Sequence, residues 1–109
     1  EAYRKVLANY KEGKYPLGDP QAAAFGLGGA LRGQRRFDEA AEAFAMVGNF
    51  PQSEKKQVLR STLAAGEMYD SAAKRALAVE KYREVLAADA SSPEGQLAKK
   101  HIGKPYKYD

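Results

Sequence analysis

Tyr82-Arg83-Glu84-Val85-Leu86-Ala87 repeats, near the end of the chain, its opening words Tyr3-Arg4-Lys5-Val6-Leu7-Ala8. A looser copy, Phe44-Ala45-Met46-Val47, keeps the aromatic residue and the valine three places on. The echo extends upstream. Leu27-Gly28 is followed by Leu31, Ala40, Phe44 and Val47, and Ala65-Gly66 by Tyr69, Ala78, Tyr82 and Val85. Counted from Gly28 and from Gly66, both sets fall at +3, +12, +16 and +19. Self-similarity of this kind marks a chain built from stacked copies of one small unit. Stacked units present long surfaces to other proteins rather than enclosed catalytic pockets.

The periodicity of the apolar residues is helical. Ala40, Phe44 and Val47 stand at i, i+4 and i+7 and share one face of a helix. The spacing predicts helices over Glu1 to about Asn9, Gln21 to about Gly33, Phe37 to Val47, Ser53 to about Tyr69 or Asp70, Lys74 to Ala88, and Pro93 to Ile102. Gly13, Pro16 and Gly18 break the first. Asp19-Pro20 and Ser92-Pro93 are helix starts, each with a capping side chain followed by proline at the first helical position. Ser53 with Glu54 is expected to cap the helix between them, and Gly103 and Pro105 to end the last. No window alternates with a period of two, so no strand is expected. The fold class is all-α, with five to six helices.

Length and composition narrow the function. With 109 residues the chain makes one domain of modest core. There is no cysteine, hence no disulfide framework, thiolate metal site or cysteine nucleophile. The net charge of +4 is spread among interspersed acids and bases, as on a solvated helical surface. No apolar run reaches the roughly 20 residues of a membrane span, so no membrane insertion is expected. The compartment, periplasmic or cytoplasmic, stays open.

The residues registered on Gly28 and Gly66 resemble the tetratricopeptide repeat (TPR), a family that pairs helices A and B in units of about 34 residues. The resemblance implies a right-handed stack of antiparallel hairpins. Residues 1–12 would hold a leftover helix B, 19–50 the first repeat, 53–90 the second, 92–103 a capping helix and 104–109 a tail. The whole would be a fragment of a longer protein. Gly28 and Gly66 would sit where helix A presses on helix B, against the Ala40–Phe44 and Ala78–Tyr82 faces, with Phe44 and Tyr82 filling the gap to the following unit. The spacings of 38 residues (82 minus 44) and 41 (44 minus 3) exceed the usual unit. Arg75 and Ala90 stand where an apolar residue and a proline are usual. Phe50-Pro51-x-Ser53 with elongated helices A is similar to bacterial envelope TPR proteins of the Tol–Pal coordinator and outer-membrane assembly lipoprotein type.

The resemblance also implies a protein- or peptide-binding groove lined by helices A. In this register it holds Ala22, Phe25, Gly29 and Arg32 from the first unit and Arg60, Leu63, Glu67 and Asp70 from the second. The lysine and asparagine that clamp a carboxylate tail in chaperone-binding members are replaced by Phe25, Gly29, Leu63 and Glu67. Glu67 and Asp70 are expected to be exposed and to favour a ligand with a basic residue beside an apolar one. No small-molecule substrate or cofactor is implied.

Other chemistry is weakly signalled. Gly26-Leu27-Gly28-Gly29 lacks the preceding strand and third registered glycine of a phosphate loop, so packing glycines are expected. His101, the only histidine, has no partner residues spaced for a metal site or a triad. It is expected to be solvated or in a helix's C-terminal turn. Lys99, Lys100, Lys104 and Lys107 with Tyr106 and Tyr108 could hold phosphates and stack bases, but a basic helix end with a frayed tail is the simpler expectation. Arg32, Arg35 and Arg36 read as a solvated turn. The reading is therefore a non-enzymatic binding module, with an architectural segment and a basic nucleic-acid accessory domain as alternatives.

Overall fold

The computed structural model describes residues 20–50 and 53–108. The expected helix at Glu1–Asn9, its breakers, Asp19 and Pro51 lie outside them. The described residues form five α-helices and no strand: α1 Pro20–Gly33, α2 Phe37–Met46, α3 Lys55–Ser71, α4 Arg75–Asp89 and α5 Pro93–Gly103. A short 3-10 helix, Val47–Asn49, follows α2. Each helix packs on the next, and α5 also reaches α3.

The repeated residues do the same work twice. Gly28 lies under the Phe44 ring and Gly66 under the Tyr82 ring. A Cβ at Gly28 would come within 2.7 Å of the Phe44 ring, and one at Gly66 within 2.6 Å of the Tyr82 ring. Only glycine lets either aromatic ring lie flat on the neighbouring helix. Ala40 and Ala78, four residues before each ring, are fully buried.

The turns match as well. Arg35 and Ala73, each seven residues past its glycine, adopt φ of 60° and 63°. Around them the Arg36 N–H donates to the Leu31 carbonyl and the Arg35 N–H to Arg32, at 2.9 Å each. Lys74 to Tyr69 at 2.8 Å and Ala73 to Asp70 at 3.0 Å repeat the pattern. These are Schellman turns, in which a left-handed residue closes the helix and satisfies its last carbonyls. Neither left-handed residue is the glycine that such a turn favours, so the sequence hides both.

The helix starts divide. At α5, Ser92 caps as expected: its hydroxyl accepts from the Gly95 N–H at 2.9 Å and donates to the Asp89 carbonyl at 2.7 Å. At α3 the expected cap is absent. Glu54 stands at the N-cap without a side-chain bond. The Ser53 hydroxyl instead donates backwards to the Val47 carbonyl at 2.7 Å, tying the connection to the end of α2.

Two apolar clusters make the core. One joins α1 and α2 with Phe50 and the Ala65 and Met68 face of α3. The other joins Leu59 and Leu63 of α3 with Ala78, Tyr82, Val85 and Ala98. Helix α3 is therefore shared by both. Residues 104–108 are not frayed as expected: Tyr106 and Tyr108 return to pack on the first cluster.

Replacing Gly66 with leucine should drive a side chain into the Tyr82 ring and cost about 3 kcal/mol, the upper end for overpacking. A denaturant melt matching the parent would place Tyr82 elsewhere. Ala73→Gly should act oppositely. It relieves a left-handed alanine, worth up to about 1 kcal/mol, and should raise Tm by roughly 4–8 °C for a domain of this size.

Candidate functional site

Most of the residues expected to line a groove come together between α1 and α3. The Arg60 guanidinium stands over the Phe25 ring, 6.0 Å from its centroid. That ring meets Phe44 edge-on at 5.4 Å. Further along, the Arg32 charge acts on the Glu67 carboxyl. Between these contacts, a Cβ at Gly29 would meet no described atom within 4 Å. Phe25, Gly29 and Arg32 thus share one face of α1, and Arg60 and Glu67 reach it from α3. Leu63 is buried in the second cluster, with Leu59, Ala78 and Tyr82.

Asp70 departs from expectation. Its side chain is 2% exposed, and every donor around it belongs to the chain. Arg75 Nη1 donates to Oδ2 at 2.9 Å and to Oδ1 at 3.1 Å. The Tyr82 hydroxyl donates to Oδ2 at 2.7 Å and the Tyr106 main-chain N–H at 3.1 Å. A buried carboxylate is tolerated when paired and fully hydrogen-bonded. Arg75 completes the arrangement with its other nitrogen. Nη2 donates to the His101 and Ile102 carbonyls, at 2.8 and 2.6 Å, capping the C-terminal end of α5.

This cluster is what sequence reasoning missed, although a signal existed. In the common register Asp70, Arg75 and Tyr82 correspond to Arg32, Phe37 and Phe44 (+4, +9 and +16). The arginine at an ordinarily apolar position and the tyrosine in place of phenylalanine are the visible trace of an internal ion pair.

Glu67 was also expected to be exposed; its side chain is 16% exposed. Its Oε2 lies 3.2 Å from His101 Nε2. Burial pushes the carboxyl from its ordinary 4.5 to about 7, against the pull of Arg32. Burial, with Lys100 and Arg75 nearby, pushes the imidazole down, against Asp70. Both shifts disfavour the charged forms, so the Glu67–His101 contact is a hydrogen bond more than a full ion pair. His101 does occupy the last turn of α5 but is not solvated. Its ring lies 5.3 Å from both Tyr82 and Tyr106. Burial and the hydrogen bond to Asp70 drive the Tyr82 hydroxyl pKa upward, so it stays a donor.

The remaining candidates take structural positions. Gly26-Leu27-Gly28-Gly29 lies inside α1. Arg36 pairs with Glu39 at 2.7 Å, and Arg35 covers the rings of Phe37 and Tyr108. Among the described residues no three His, Asp or Glu side chains converge as metal ligands would. No described helix is long and apolar enough to cross a membrane.

No family model, curated protein or solved structure matches the chain.

Glu67 gives the site a pH signature. Because its folded pKa is raised, the folded state holds a proton that the unfolded state releases from about pH 4.5. The associated stability is present below that point and is lost as pH rises through about 7. His101, lowered, contributes the opposite slope below its ordinary 6.5. Glu67→Gln removes the first effect and keeps a donor for His101. Its stability relative to the parent should climb between pH 4.5 and 7, by up to about 3 kcal/mol, then level off. Urea melts of both proteins across pH 4.5–8.5 measure this. A constant difference would mean that Glu67 ionises in its ordinary range.

Proposed function

We propose that the chain is a TPR-like, right-handed stack of helical hairpins that binds a protein or peptide along the α1–α3 strip. The supporting observation is that Gly28 and Gly66 meet their aromatic partners, and Arg35 and Ala73 close their turns, in the same register. Equivalent hairpins stacked side by side leave one helix of each on a shared face. On that face Phe25 and Gly29 offer apolar surface and an opening.

The ligand chemistry differs from the basic segment expected from Glu67 and Asp70. Asp70 is saturated internally, and burial raises the Glu67 carboxyl to about 7, so Glu67 brings only part of a negative charge near neutrality. Arg32 and Arg60 then set the sign of the strip. A segment with an acidic residue beside an apolar one suits it, the acid meeting a guanidinium and the apolar side chain meeting Phe25. An architectural role is the second reading, favoured by the use of Asp70 and Arg75 to hold α5.

Gly29 provides the test. Gly29→Trp fills the strip, and removing a mid-helix glycine should leave Tm unchanged or slightly higher, by up to about 1 kcal/mol in stability. Partners captured from source cells by the parent should be lost with Gly29→Trp and with Arg60→Glu. Identical partner sets at matched Tm would remove the strip as a binding surface and favour the architectural role.

A further inference from the structure

Residues 104–108 are held in the manner of a bound peptide. At Lys104 the backbone leaves α5 in extended conformation, with φ −141° and ψ 117°. Pro105 to Tyr108 then form one wall of a cleft whose other wall is Arg35, Phe37, Asp70, Ser71 and Ala73. The segment's main chain is held where the Lys104 N–H donates to the Lys100 carbonyl at 2.9 Å and where the Tyr106 N–H donates to buried Asp70 at 3.1 Å. Its side chains alternate. Tyr106 turns inward against His101, with ring centroids 5.3 Å apart. Lys107 is exposed. Tyr108 turns inward again, edge-on to Phe37 at 5.3 Å. A main-chain anchor with alternate side chains in pockets is how extended peptides are recognised.

Arg35 supplies an independent argument. It occupies a left-handed position, φ 60°, where glycine would be relaxed. Its guanidinium lies 5.3 Å from the Tyr108 centroid and 5.4 Å from that of Phe37, spanning both rings. Cation–π contact of this kind attracts aromatic residues. Arginine at this turn is accounted for by the ring it receives.

We propose that the surface carrying Arg35, Phe37 and Asp70 is a binding site for an extended Tyr-x-Tyr segment with a basic middle residue, covered here in cis by residues 104–108. Asp70 accepts the first tyrosine's N–H, and Arg35 with Phe37 takes the second ring. The site lies past the end of the α1–α3 strip and does not depend on the strip having a partner.

The test uses the full chain with Tyr106→Ala and Tyr108→Ala together, and a capped synthetic peptide Gly-Lys-Pro-Tyr-Lys-Tyr. The vacated chain should bind the peptide saturably and at least tenfold more tightly than the parent, whose own segment competes. A peptide with both tyrosines changed to alanine should not bind. Equal binding to parent and variant, or no binding to a variant that keeps its helical circular dichroism, overturns the proposal. If the variant loses its helices, amide exchange in the parent decides. There the Tyr106 amide should be protected at least a hundredfold over a free peptide, and Arg35→Gly should lower that protection several-fold without lowering Tm. Free-peptide exchange at Tyr106, or protection unmoved by Arg35→Gly, overturns it.

Discussion

Asp70 carries a negative charge out of water, and the placement of three helices follows from the donors that this charge requires. Arg75 must leave the α3–α4 turn toward it, which fixes how α4 departs. The Tyr82 ring must lie flat over Gly66 for its hydroxyl to arrive, which fixes the distance between α3 and α4. With its remaining nitrogen Arg75 holds the last carbonyls of α5. Such a pair adds little net stability compared with an apolar core of the same shape. Losing Arg75 strands the buried Asp70 carboxylate, at a cost of up to about 3–5 kcal/mol, whereas Arg75, 37% exposed, keeps access to water. Its effect is to make one arrangement of α3, α4 and α5 far better than its neighbours.

The two hairpins show what the charge replaced. The first keeps Phe44 over Gly28, Phe37 after the turn and Arg32 before it. The second has Tyr82, Arg75 and Asp70 in those places. None of the three changes is favourable alone. A tyrosine hydroxyl without Asp70 would lack a buried acceptor, and Arg75 without Asp70 would be an unbalanced charge beside α5. The same +9 position serves related ends in both units, with Phe37 receiving Tyr108 and Arg75 receiving the end of α5.

Residue types that permit only one geometry made the helices and the glycine–aromatic contacts legible in the sequence. Gly28 and Gly66, with Ala40 and Ala78, leave room for a ring and little else. The Schellman turns were hidden because arginine and alanine hold positions where glycine would have announced them. Asp70 was misplaced for a different reason. The register taken from the repeat resemblance sets it beside Glu67 on the groove face, and a register carries no information about a segment returning from 36 residues away. His101 stands in the C-terminal turn as expected, but its burial is not legible, since that depends on Glu67, Tyr82 and Tyr106 arriving from elsewhere. Arg60 and Phe25 were placed together because both follow directly from the repeat register.

Helix α3 belongs to both apolar clusters, giving Ala65 and Met68 to one and Leu59 and Leu63 to the other. This sharing bears on how the chain acquires its structure in time. A single helix of 17 residues is marginal in water, so α3 needs one hairpin's worth of partners to persist. Either α1 with α2 or α4 with α5 can supply them, and whichever docks first presents a formed face to the other. Contacts between neighbouring helices are short in sequence and form fast. The bond from Tyr106 to Asp70 spans far more chain and must await both ends. The expected order of events is a nucleus that contains α3, two interchangeable routes outward from it, and a late closing step at residues 104–108.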